Sequence, residues 1–88
     1  MDHFEQEKLR ILILDDHAAV RSTMRQMVLA ERFGPMEFEE GKAGPEGLDL
    51  VLGQTWDLVV LREGIEALSD LKRIRPDQLI LALRVPEV

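Results

Sequence analysis

The sequence contains no cysteine among its 88 residues. Disulfide bonds, thiolate metal sites and cysteine nucleophiles are therefore excluded, because each of them requires a cysteine sulfur. A chain without thiols is what a reducing cytoplasm tolerates, so we predict a cytoplasmic location.

Long apolar runs and an excess of positive charge are also absent. The longest apolar runs, residues 11–14 and 58–61, are far shorter than the roughly 20 residues that cross a bilayer. Residues 1–8 form an acidic tail that lacks the apolar core of a secretion signal. The net charge of −6 repels nucleic-acid phosphates and anionic lipids. We therefore expect neither nucleic acid nor a membrane as a direct partner.

The composition that is present suits one small folded domain. A hydrophobic fraction of 45% combined with 32% charged residues is typical of a soluble globular protein. This length is enough for one hydrophobic core and too short for two, so we predict a single domain over residues 1–88.

Four apolar segments of the chain have the patterns of strands. Residues 9–14 and 58–61 are short continuous apolar blocks, which are typical of strands buried on both faces, and residues 79–83 form a last apolar block. Residues 36–40 alternate Met and Phe with Glu, which predicts a strand with one buried face near a sheet edge.

Three segments with helical spacing of apolar residues separate these strands. The first covers residues 18–33, with Asp16 as the predicted N-cap, and the second covers residues 45–53. The third runs from Ile65 up to Pro76. The order β-α-β-α-β-α-β predicts an α/β fold, with an open parallel sheet and helices on both of its faces.

Charged residues stand directly after three of the predicted strands, where the crevice of an open parallel sheet lies. Asp15 and Asp16 follow the first strand, Arg62 the third and Arg84 the fourth. Paired carboxylates suit Mg²⁺, but one of them could equally cap the next helix, and the pair by itself favours the cap.

The stretch LRILILDDHAAVR, residues 9–21, closely resembles the opening of response-regulator receiver domains. Further similar segments are residues 44–50, 56–61, 72–75 and 79–83. The resemblance implies the flavodoxin-like receiver fold, truncated after its fourth strand. It also implies that Asp15 and Asp16 match the acid pair that binds Mg²⁺, and that an aspartate ending the third strand should accept phosphate from a histidine kinase.

Arg62 stands at the position of that phosphoacceptor. A guanidinium stays protonated and offers no lone pair, so it cannot attack a phosphoryl donor. We therefore expect no enzyme activity and no cofactor, with the acid pair vestigial as a metal site. Arg62 either pairs with Asp15 or Asp16 in place of the ion, or turns to solvent, and the sequence leaves both possibilities open.

These features together predict a non-phosphorylatable pseudo-receiver that acts by protein–protein interaction in phosphorelay signalling. The expected partners are a second copy, a histidine kinase or another response regulator. Two alternatives stay open. The chain could be a fragment of a receiver-containing transcriptional regulator without its output domain, or a Mg²⁺-dependent phosphoryl-binding protein that uses Asp15 and Asp16.

The last predicted strand lacks the cover that a fifth strand and a final helix give it in receiver domains. Its residues would then form an exposed apolar edge, which soluble proteins blunt with charge or bury by pairing. We therefore expect a homodimer, formed side by side or by exchange of the C-terminal segment. The predicted interface residues are Leu79, Ile80, Leu81, Ala82 and Leu83.

Overall fold

A computed structural model describes residues 7–86, so most of the predicted acidic tail lies outside the described residues. Strands and helices alternate in the predicted order. They are β1 (Leu9–Leu14), α1 (Ala18–Ala30), β2 (Met36–Gly41), α2 (Pro45–Gly53), β3 (Leu58–Arg62), α3 (Ala67–Ile74) and β4 (Ile80–Leu83). The strands are all parallel and lie in the order β2-β1-β3-β4. The predicted α/β, flavodoxin-like fold is confirmed.

The two central strands are buried on both faces, as their continuous apolar sequences predict. On one face, side chains of β1 and β3 pack with Val51 of α2 and Leu71 of α3. On the other face they pack with Met24 and Val28 of α1. A parallel sheet covered on both sides in this way places the carboxyl ends of β1 and β3 next to each other.

Helix α1 differs from its prediction at both ends. It ends at Ala30 and not at residue 33, because Arg32 adopts a left-handed φ of 55° that an α-helix cannot continue through. Its N-cap residue is His17, which makes no side-chain capping hydrogen bond, so the prediction of Asp16 as the cap is wrong. None of the helices within residues 7–86 has the length and hydropathy needed to cross a membrane.

Helix α3 begins at Ala67, two residues later than the apolar spacing predicts. The segment before it turns at Gly64, whose φ of 84° lies in the left-handed region that glycine adopts without strain. This turn separates Arg62, the last residue of β3, from the helix, so Glu63 stands in a loop and not at the start of a helix.

The two outer strands differ in their side chains. Strand β2 lies at one edge, as predicted, and exposes Glu37, Glu39 and Glu40. Strand β4 lies at the other edge and contains no charged residue. Its Ala82 is exposed, and the side chain of Leu79, directly before the strand, is 66% exposed. The sheet therefore has one acidic edge and one apolar edge.

Candidate functional site

The candidate site lies at the carboxyl ends of β1 and β3. Leu14 of β1 is paired in register with Leu61 of β3. Asp15 follows Leu14, and Arg62 follows Leu61. The two residues therefore lie side by side where the strands end. The register, and no local signal, brings these two side chains together.

Asp15 is fully buried, and its Oδ2 atom lies 3.1 Å from Nε of Arg62. The Nε–H bond does not point at this oxygen, so Oδ2 has no hydrogen-bond partner among the described residues. The contact is thus an ion pair by distance without being an aligned hydrogen bond. The arginine side chain is 38% exposed, so its guanidinium reaches from the buried carboxylate to solvent.

The other oxygen of Asp15 is held by the backbone at the start of α1. Its Oδ1 atom accepts a hydrogen bond of 2.9 Å from the backbone N–H of His17. Nδ1 of the His17 ring lies 3.3 Å from the same oxygen, while the ring itself is largely exposed. The carboxylate of Asp15 is consequently fixed in orientation between α1 and Arg62.

Asp16 points away from its neighbour. Its Oδ1 atom accepts a hydrogen bond of 3.1 Å from the backbone N–H of Ala43, in the loop between β2 and α2. The acid pair therefore diverges, and Asp16 ties two loops together. Among residues 7–86, no three His, Cys, Asp or Glu side chains are grouped closely enough to hold a metal ion.

Sequence reasoning missed Arg21, which packs over the end of β1. Its Nη1 atom donates a hydrogen bond of 2.6 Å to the backbone carbonyl of Asp15, and its Nε atom donates one of 3.1 Å to Glu40. Arg25 adds a second contact to Glu40 at 3.6 Å. The signal that could have found this cluster is topological. Glu40 lies next to the last residue of β2, beside β1, and Arg21 lies one helical turn after His17, so both reach the carboxyl ends of these strands.

Arg84 does not join Asp15. Its Nε atom lies 3.4 Å from Oε2 of Glu63, and both side chains are mostly exposed. Both residues line a cleft of about 620 Å³. The cleft is lined by Arg62, Glu63, Gly64, Ile65, Glu66, Arg84 and Val85.

The predicted interface residues all lie at or beside one sheet edge. Four of them form β4, while Leu79 precedes it as an exposed residue. Leu81 and Leu83 pack partly against the core on the α1 face, and Ile80 packs partly against the core on the other face.

Comparison with known proteins gives one curated relative. Over 89 aligned residues the chain is 32% identical to a nitrate/nitrite response regulator protein homolog of Haemophilus influenzae. The alignment covers 93% of this chain and 42% of the relative, so the chain spans less than half of that protein's length. No family model and no solved structure matches the chain. The similarity supports a link between this chain and response regulators.

Proposed function

We propose that the chain is a non-phosphorylatable pseudo-receiver that works as a protein–protein interaction module in two-component signalling. The observation that carries the proposal is the guanidinium of Arg62 at the end of β3, 3.1 Å from the buried carboxylate of Asp15. The named response regulator among its relatives supports the signalling context. A thiol-free chain suits the cytoplasm in which such signalling proteins would meet their partners.

The chemistry of Arg62 argues against phosphoryl transfer. A protonated guanidinium presents only donors and no lone pair, so Arg62 cannot serve as the nucleophile that attacks a phosphoryl donor. The carboxylate of Asp15 already has the guanidinium of Arg62 beside it, which compensates the negative charge that would attract a metal ion. The proposed module is therefore not an enzyme.

The residues present also do not fit a magnesium ion. Mg²⁺ needs oxygen ligands that converge in octahedral geometry. Here one oxygen of Asp15 accepts from His17 N–H, the other lies against Arg62, and Asp16 is turned to Ala43. These contacts disfavour the alternative of a Mg²⁺-dependent phosphoryl-binding protein, and we propose a protein that works without a cofactor.

The direct test is incubation with acetyl phosphate and Mg²⁺, followed by intact-mass spectrometry. We expect the mass to remain unchanged, while a phosphorylatable receiver domain treated in parallel gains one phosphoryl group. An acid-labile phosphoryl adduct on Asp15 or Asp16 would falsify the proposal.

The interaction role has a separate test. A histidine kinase or another response regulator is the proposed class of outside partner, and its binding to this chain should be equally tight with and without acetyl phosphate. A partner that binds only after phosphodonor treatment would contradict a constitutive module.

A second candidate is that the chain serves as the receiver segment of a longer transcriptional regulator. The observation that favours it is the alignment, which covers 42% of the response regulator homolog. Sequencing of the native transcript decides between the separate module and the segment of a longer regulator. An open reading frame that continues into a DNA-binding domain would support the longer regulator.

A further inference from the structure

We propose that the edge of β4, which no other strand covers within residues 7–86, pairs with the same edge of a second copy of this chain, in an antiparallel register centred on Ala82. The pairing names a partner for the proposed interaction module, and it rests on that proposal for the premise that the chain acts by binding. Four observations carry it, namely the side chains of the edge, its backbone groups, its pattern of apolar residues and its charge.

The side chains leave the β4 edge unprotected. Soluble proteins commonly blunt an edge strand with charged residues, as the exposed Glu37 and Glu39 do on β2. Strand β4 has the sequence ILAL and no such residue. An apolar edge without charge is a template for pairing with another strand.

The backbone groups that would pair can be assigned from the β3–β4 ladder. Val59 N–H donates to the carbonyl of Leu79, and Glu63 N–H donates to the carbonyl of Leu83. The odd-numbered residues of this segment therefore face β3. Because backbone groups alternate along a strand, the N–H and C=O groups of Ile80, Ala82 and Arg84 point to the open edge.

A two-fold axis perpendicular to the sheet at Ala82 uses all of these outward groups. Ala82 then faces the partner's Ala82, and Ile80 faces the partner's Arg84 on each side of the axis. Each facing pair exchanges two backbone hydrogen bonds. Pro86 lacks an N–H group, so the ladder ends where Pro86 meets the partner's Gln78.

The same register matches apolar side chains on the α1 face of the sheet. Leu79 stands opposite the partner's Val85, and Leu81 stands opposite the partner's Leu83. Leu79 and Leu81 also line an apolar groove of about 400 Å³ that includes Phe33, just after α1. An axis at Leu81 would instead place Asp77 opposite the partner's Val85, so the register centred on Ala82 is favoured.

Charge also favours a second copy at this edge. The chain has a net charge of −6, yet residues 79–86 contain no acidic side chain and one basic one, Arg84. In the proposed register, Arg84 lies four residues along the strand from the partner's Arg84, about 14 Å away, so like charges do not face each other. A head-to-tail arrangement would bring β4 against the glutamates of β2. The edge therefore suits a closed two-fold pair.

The interface is small, with about eight residues per copy against the 20–30 per side of a standard interface. We therefore expect reversible association at micromolar concentration. Sedimentation equilibrium of the parent chain near 100 μM should give a mass twice 10.1 kDa, falling toward the monomer on dilution.

Ala82→Pro tests the edge without disturbing the fold. Proline is tolerated on an edge strand where its missing N–H would face solvent. The variant should unfold cooperatively while its self-association weakens about tenfold or more. Ala82→Val, which keeps the N–H group, is the matched control and should associate like the parent.

Cysteine cross-linking tests the register, and the cysteine-free parent makes single-cysteine variants unambiguous. In the proposed pair the Cα atoms at position 82 lie about 5.5 Å apart, within the range that a disulfide spans. Ala82→Cys should therefore cross-link on oxidation, and Arg84→Cys should not.

Three results would overturn the pairing: a parent chain that stays monomeric near 100 μM, an Ala82→Pro variant that associates like the parent, or an Arg84→Cys variant that cross-links as readily as Ala82→Cys. The outcomes are separable from those of the proposed function. If the chain is a monomer and takes up no phosphoryl group, only the pairing is refuted. If it is a dimer and takes up a phosphoryl group, only the pseudo-receiver proposal is refuted.

Discussion

Arg62 and Asp15 form an ion pair across neighbouring strands, with Nε of the arginine 3.1 Å from Oδ2 of the carboxylate. The acid is fully buried and the base is partly exposed. Breaking a buried pair from one side leaves an uncompensated charge in a low-dielectric environment, which is strongly unfavourable. The two residues therefore depend on each other for the stability of the fold.

The first prediction is that this pair is energetically coupled. Arg62→Met should destabilise the fold by about 1–3 kcal/mol, less than for a wholly buried pair because solvent screens the arginine. Adding Asp15→Asn should recover part of that loss. Urea unfolding followed by Trp56 fluorescence measures both. Arg73→Met removes an exposed pair with Asp70 and should change stability by less than about 1 kcal/mol. Additive effects of the two site substitutions would contradict the coupling.

The second prediction concerns Arg62→Asp. The substitution replaces the cation with a carboxylate next to the buried carboxylate of Asp15, and two close like charges repel each other until a cation binds. Mg²⁺ should therefore raise the melting temperature of the variant and leave that of the parent unchanged. NaCl at equal ionic strength is the control for screening. Equal shifts for the two proteins with Mg²⁺ would show that Arg62 does not take the place of an ion.

The third prediction uses two glycines of α2. A Cβ atom at Gly47 would lie 2.2 Å from the carbonyl oxygen of Lys42 and 3.2 Å from a methyl group of Leu14. We expect Gly47→Ala to destabilise the fold by about 1–3 kcal/mol or more, because backbone has to move. Gly53 has open space around it, and Gly53→Ala should leave stability unchanged or raise it by up to about 1 kcal/mol. Similar losses for the two variants in thermal unfolding would count against this packing.

The fourth prediction separates two methionines of α1. Met24 is fully buried under the sheet, whereas Met27 is only partly buried. Met24→Ala should lower the free energy of unfolding by about 2–5 kcal/mol, since it removes buried atoms and leaves a cavity. Met27→Ala should have a clearly smaller effect. An equal loss for the two variants in chemical denaturation would mean that α1 is rotated relative to the sheet.

Much of the fold follows from local patterns in the sequence. Continuous apolar blocks gave β1 and β3, and the alternation of Met and Phe with Glu gave the edge position of β2. The end of α1 could not be predicted, because the apolar spacing continues to Phe33 while the left-handed conformation of Arg32 ends the helix. Phe33 is 53% exposed as a result.

The site was only partly predictable for a different reason. The ends of the predicted strands indicate which residues lie near each other at the site. The direction of each side chain, however, depends on contacts between distant segments. Asp16 turns away because Ala43 N–H offers it a hydrogen bond from another loop. Arg21 reaches the end of β1 because α1 begins directly above it. Neither contact leaves a signal near these residues in the sequence.

The contrast between the two outer strands also limits how far such chains can grow. In polymer terms, a monomer with two reactive ends forms long chains, whereas a monomer with one blocked end stops at short products. The glutamates of β2 act as the blocked end, because a second strand approaching them would meet the exposed carboxylates of Glu37 and Glu39. Whatever strand pairs with β4, this sheet therefore has one edge that can pair and one that cannot. This arrangement disfavours the continuous cross-β growth that leads to fibres.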